Sequence, residues 1–154
     1  MTDDLFIRFA AIADARAIAE MSRDTIEQGL PWTWRPGRVM HAIRDPRTNV
    51  VVVGEHGAVE AFGIMSYLED DAHLLLLAVA PARRRRGIAS AMLAWLERVA
   101  RAAGAQRIRV EARHENLAAR NLYAEHGYHE HAFTRGMYSG RADGVFLEKW
   151  LREG

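Results

Sequence analysis

Six consecutive apolar residues, Leu74 to Val79, followed at once by Ala80 and Pro81, constrain this chain more than any other segment. An apolar run that short, with no polar alternation, is the pattern of a strand covered on both faces, and the proline closes it. Four arginines, Arg83 to Arg86, and Gly87 come next. Then Ile88 to Ala103 carries Met92, Leu93, Leu96, Val99 and Ala100 at helical spacing and stops at Gly104. A buried strand, a basic loop with one glycine and a helix start in direct succession form an anion-binding geometry. Backbone N–H groups at a helix N-terminus lack internal partners, and the macrodipole adds about half a positive charge there. Gly87, Ala89 and Ser90 are small enough to let a ligand approach that backbone. The competing reading of Arg83 to Arg86 is a solvated charge run on a surface turn. No Gly-Lys-Ser/Thr follows the loop and no three-glycine dinucleotide fingerprint occurs, so nucleotide hydrolysis and Rossmann chemistry recede.

The remaining punctuation is that of one domain spanning residues 1–154, with neither repeat nor low-complexity linker. Leu5 to Phe9 reads as a strand with Leu5, Ile7 and Phe9 inward, and Asp14 is placed to N-cap a helix carrying Ile18, Met21 and Ile26 that stops near Gly29. Pro36 opens a second helix ended by Asp45-Pro46. Asn49 to Val53 and Val59 to Tyr67 form a hairpin feeding the central strand. Arg107 to Arg113 sets Ile108, Val110 and Ala112 against Arg107, Arg109, Glu111 and Arg113, so one face is apolar and the other charged. A helix from Asn116 to His126 is stopped by Gly127, and two weaker strands, Tyr128 to Phe133 and Val145 to Trp150, follow.

The length of 154 residues supports a core but not two domains. A net charge of +1 supplies no field to draw the whole molecule to nucleic acid, which argues against an RNA or DNA partner. The absence of Cys excludes a disulfide framework, a thiolate metal site and a cysteine nucleophile, and makes a cytoplasmic address the default. The acidic Met1-Thr2-Asp3-Asp4 start is no signal peptide, and no apolar run suits a membrane span. Of the 21 basic residues, Lys149 is the one lysine, a bias that codon usage explains as readily as function.

A second segment runs from Asn116 through Arg120 and Tyr123 to Gly127-Tyr128. Helical spacing sets Asn116, Arg120 and Tyr123 on one face, where Asn116 and Tyr123 can meet one ligand or act as helix cap and core aromatic. Taken together, the two segments resemble the GCN5-related N-acetyltransferase (GNAT) family. Arg84, Gly87 and Ala89 fit its Gln/Arg-x-x-Gly-x-Gly/Ala phosphate loop, and Asn116 to Tyr128 fits its Asn-x-x-Ala-Arg-x-Leu-Tyr-x-x-x-Gly-Phe/Tyr pattern. The resemblance covers essentially the whole order of elements. It implies an α+β acyl-CoA N-acyltransferase fold, with a mixed, mostly antiparallel sheet flanked by helices and opened between the central strand and the Arg107–Arg113 strand.

It also implies acetyl-CoA as cofactor, with no metal. Leu77 and Val79 would pair with the pantetheine amides, the backbone of Arg85, Arg86, Gly87, Ile88, Ala89 and Ser90 would hold the pyrophosphate, and Asn116 would contact the pantetheine arm. Tyr123 matches the family's frequent general acid. Glu111, on the charged face of its strand, is the preferred base, and His73 could relay a proton near neutral pH. A strand Glu paired with arginines and a strand-edge His are the alternatives. The acceptor would be a primary amine on a small molecule or a protein N-terminus, lined by Glu27, Trp32, Trp34, His73 and Tyr138, with both tryptophans also suited to a core role. The segment from Arg135 to Val145 is similar to the ribosomal-protein-alanine branch, although its loop is short. A homodimer stays open. The rival readings are a non-catalytic acyl-CoA sensor and an RNA-binding module.

Overall fold

The computed structural model describes residues 6–151. Its elements are β1 (Ile7–Phe9), α1 (Ala15–Met21), α2 (Pro36–Arg44), β2 (Thr48–Glu55), β3 (Ala58–Leu68), β4 (Asp71–Val79), α3 (Ile88–Ala102), β5 (Arg107–Arg113), α4 (Leu117–Glu125), β6 (His129–Tyr138) and β7 (Ala142–Trp150). One seven-stranded sheet has the order β1-β2-β3-β4-β5-β7-β6. All neighbours are antiparallel except β4 and β5, whose parallel register runs only from Asp71↔Arg107 to Leu74↔Val110.

Apolar residues on the two faces of the sheet build two layers. Against α3 and α4 lie Met65, Leu74, Ile108, Val110 and Leu147, packed on Met92, Leu96 and Tyr123. Against α1 and α2 lie Val52, Phe62, Ile64 and Leu76, packed on Ile18, Trp34 and Val39. The continuous apolar run of β4 follows from this sandwiching. Leu74 belongs to the first layer and Leu76 to the second, with a register shift in the β3–β4 pairing between Ile64 and Met65. Glu97 of α3 is buried and accepts hydrogen bonds from the Tyr128 hydroxyl and the Lys149 ammonium, both at 2.9 Å, which pins α3 to β7.

Several expectations are corrected. Phe9 is not buried; it is 56% exposed and meets Trp95 edge-on, because β1 is a three-residue edge strand. Leu5 lies outside the described residues. Asp14 precedes α1 without capping it. Its buried carboxylate takes hydrogen bonds from both Nη atoms of Arg8 at 2.8 and 3.0 Å and from the amides of Ala11 and Gly57, tying β1 to the β2–β3 turn. The first helix does not run on regularly towards Gly29 but passes into a π-turn at Ser22–Ile26. β6 extends to Tyr138, past the expected end at Phe133.

Candidate active site

Past Leu74 and Val110 the ladder between β4 and β5 ends, so β4 from Leu75 to Val79 keeps β3 on one side and, among the described residues, has no strand on the other. The paired end forms the apex of a wedge, and the chain beyond it forms the two walls. Leu77 and Val79 stand on the β4 wall, opposite Gly63 and Ala61 of β3. The Val79 carbonyl also accepts the Arg84 Nε at 3.2 Å, so that arginine folds back onto the strand end.

The loop after this wall leaves a row of backbone donors open. Gly87 occupies the N-cap of α3 with φ +76°, and Arg85 also takes the left-handed region at φ +65°. The first bond returning to the loop is from the Ala91 amide to the Gly87 carbonyl at 3.0 Å. Among the described residues, the amides from Arg85 to Ser90 thus have no protein acceptor. Exposed Arg83 to Gly87 and this row of donors could hold a diphosphate such as coenzyme A carries. Arg83 itself pairs with Glu60 at 3.0 Å.

At the apex, residues distant in sequence meet. His73 Nε2 lies 3.2 Å from a Glu111 carboxylate oxygen, and both side chains are about one-third exposed or less. His73 and Arg109 beside it hold the Glu111 carboxyl below its ordinary range despite partial burial, so it is ionised at neutral pH. Tyr138 lies close enough to feel this charge: burial and Glu111, opposed by Arg113, push its phenol up to about 12. Tyr123, only 5% exposed, is raised further by burial and by Tyr138. Its ring tilts against Tyr128 at 5.5 Å, and its hydroxyl makes no hydrogen bond among the described residues. Both phenols keep their protons at neutral pH.

Asn116 caps α4, its side-chain oxygen accepting from the Ala119 amide at 3.1 Å. The expected acceptor wall is rearranged. Glu27 is buried, and its carboxylate is occupied by the Ser22 and Thr33 hydroxyls and the Thr33 and Trp34 amides, which fold the loop between α1 and α2 around it. Trp34 is a core residue, and Trp32 donates its indole N–H to the Ala19 carbonyl at 3.1 Å beneath Arg35. Those three residues shape the loop from within. Instead, Arg113, named only as strand pattern, reaches this loop directly, donating to the Ile26 and Gln28 carbonyls at 2.7 and 2.8 Å. Its place on the charged face of β5 was the one available signal.

The sequence model described as the Acetyltransferase (GNAT) family matches residues 14–128. Among curated proteins, the chain is 31% identical over 96 residues to the [ribosomal protein bS18]-alanine N-acetyltransferase of Escherichia coli strain K12, covering 60% of this chain and 65% of that protein. The match thus spans just under two thirds of the relative's length. Among solved structures, the ribosomal-protein-S18-alanine N-acetyltransferase from Escherichia coli superposes with a TM-score of 0.82 at 24% identity, covering 97% of this chain and 96% of that one. Ard1 from Thermoplasma volcanium gives 0.85 at 21% identity, covering 97% and 99%. Salmonella typhimurium yncA, solved with its cofactor acetyl-CoA, gives 0.80 at 23%, covering 98% and 96%. These three likenesses establish the fold.

Proposed function

The chain belongs to the GNAT acetyltransferase family, and from that premise we propose that it transfers the acetyl group of acetyl-CoA to a primary amine held at Glu111 and His73. The observation that carries this reading is the continuity of three features. Unpartnered amides from Arg85 to Ser90 lead along the unpaired edge of β4 to an ionised carboxylate at the wedge apex.

Acetyl-CoA supplies the thioester carbonyl when bound. The amine must lose a proton as its nitrogen bonds to that carbon. Glu111 draws the ammonium form in, and Glu111 with His73 takes up the released proton, both groups reaching solvent. Tyr123 keeps its phenolic proton until negative charge develops on the departing sulfur, then donates it as the carbon–sulfur bond breaks. The name of the 31% relative favours a protein N-terminus as acceptor over a small-molecule amine. The cysteine-free chain and a cytoplasmic supply of cofactor go together in this reading, and no helix of the described residues is long and apolar enough to cross a membrane.

The test is acetyl-CoA-dependent thiol release across N-terminal peptides, amino acids, polyamines and aminoglycosides, alongside the melting temperature with coenzyme A. Thiol release with at least one amine and a rise in melting temperature are expected. A melting shift without thiol release would turn the protein into an acyl-CoA sensor, and no shift at millimolar coenzyme A would remove cofactor binding itself.

A further inference from the structure

Next to the Glu111–His73 pair, on the face of the sheet that α1 and α2 leave open, is a depression of about 90 Å³ whose lining includes Arg107, Arg109, His131 and Phe146. Its two arginines differ in kind. Arg107 is saturated: Nε and Nη2 hold both Asp71 oxygens at 3.1 and 2.7 Å, Nη1 reaches Glu148 at 3.2 Å, and the guanidinium covers the Trp150 ring at 4.9 Å. Arg109, two residues along the same strand face, is not. Its nearest carboxylate oxygen is Asp71 Oδ2 at 3.9 Å, an atom that Arg107 already holds, and its guanidinium makes no hydrogen bond among the described residues. Its side chain is 47% exposed.

We propose that Arg109 is the anion anchor of the acceptor site, so that the amine acetylated by this protein carries a carboxylate within a few bonds. The proposal rests on the transfer reading above and narrows its acceptor. Glu111 and Arg109 lie two positions apart on one strand, roughly 7 Å of rise, and point to the same face. That face therefore offers a negative group for an ammonium and, within one small residue's reach, a planar fork of donors for a carboxylate. An acceptor bearing only amines would set its second cation against Arg109, whose charge Asp71 and Glu111 offset without a hydrogen bond. The same chemistry comes from two sources: a free α-amino acid, or a peptide N-terminus followed by an acidic side chain.

The experiment compares kcat/KM for paired acceptors by thiol release from acetyl-CoA. One arm uses L-alanine and L-methionine against their α-amides. The other uses C-terminally amidated peptides beginning Ala-Asp against Ala-Asn, with spermidine as an acceptor free of carboxylate. Each preference is measured in the parent, Arg109→Gln and Arg109→Lys, since the ratio between proteins cancels the intrinsic difference in amine pKa. A tenfold or larger fall in the carboxylate preference in Arg109→Gln, partly restored in Arg109→Lys, is expected in one arm, and that arm identifies the source. A preference unchanged within twofold in both arms, or turnover of spermidine alone, overturns the anchor while leaving acetyl transfer standing. Thiol release from no acceptor overturns the transfer reading, and the anchor with it. A coenzyme A-induced melting shift in Arg109→Gln certifies that the variant is folded.

Discussion

Arg113 and Ile26 lie 87 residues apart in sequence, yet the Arg113 Nη2 sits 2.7 Å from the Ile26 carbonyl oxygen, bridging β5 to the end of the π-turn. Carbonyls at a helix end have no internal partner, so this guanidinium satisfies them and fixes the loop beside the wedge. Arg141 adds a bond to the Gly29 carbonyl at 3.3 Å from the β6–β7 turn. Arg113→Ala should raise the acceptor KM about tenfold with a smaller loss in kcat, since it frees the loop without touching Arg85 to Ser90. Steady-state kinetics with separately varied acceptor and acetyl-CoA check this, and a rise in the acetyl-CoA KM alone would contradict it.

Gly87 separates charge from conformation. Asn and Asp both tolerate the left-handed backbone and are nearly isosteric. Gly87→Asp should therefore abolish the coenzyme A melting shift while Gly87→Asn retains part of it. Arg84→Ala should cost less than Gly87→Asp, because Arg84 already spends its Nε on the Val79 carbonyl. Equal shifts in parent and Gly87→Asp would place the pyrophosphate elsewhere.

Tyr123→Phe keeps the ring that packs on Tyr128 and removes a hydroxyl with no hydrogen-bond partner among the described residues. Turnover should fall about 100-fold while melting temperature and coenzyme A binding barely move. Glu111→Gln should also lower turnover, most at low pH, where the acceptor is mainly ammonium. A loss independent of pH would indicate that Glu111 only supports structure.

Asp14 links pH to stability. Burial alone would raise its pKa, but the Arg8 guanidinium and the Ala11 and Gly57 amides outweigh this and bring it down from 3.8 to about 2. A depressed folded-state pKa contributes stability that is complete above the unfolded value and is lost as pH falls from about 4 towards 2. Asp14→Asn should destabilise by about 2 kcal/mol at pH 7 and flatten the acid limb between pH 4 and 2. Urea unfolding across that range measures both effects.

Where chain periodicity and burial coincide, sequence reading reached the residue. Arg107–Arg113 is the observed β5 because its alternation reports one buried and one open face, and Pro36–Arg44 is bounded by two prolines. β6 was cut short because it is an edge strand whose side chains are mostly exposed, which removes any apolar alternation past Phe133. Trp32 and Trp34 were ambiguous because an aromatic suits pocket and core equally. The groups that hold the Glu27 carboxylate are amides and hydroxyls that no sequence pattern announces. The contact of His73 with Glu111 depends on the one parallel register in the sheet, a long-range choice that local spacing does not encode.

The anchoring of Lys149 on Glu97 has a chemical consequence for the acetyl transfer proposed above. It is the sole lysine side chain in the sequence, and its nitrogen pairs with the Glu97 carboxylate at 2.9 Å with only 22% of the side chain exposed. The other 20 basic side chains are arginines, whose guanidinium never deprotonates in a protein and so does not attack a thioester. The side chains are rich in cations, yet their single amine is tied into an ion pair, so in the proposed reaction side-chain self-acetylation has little to act on.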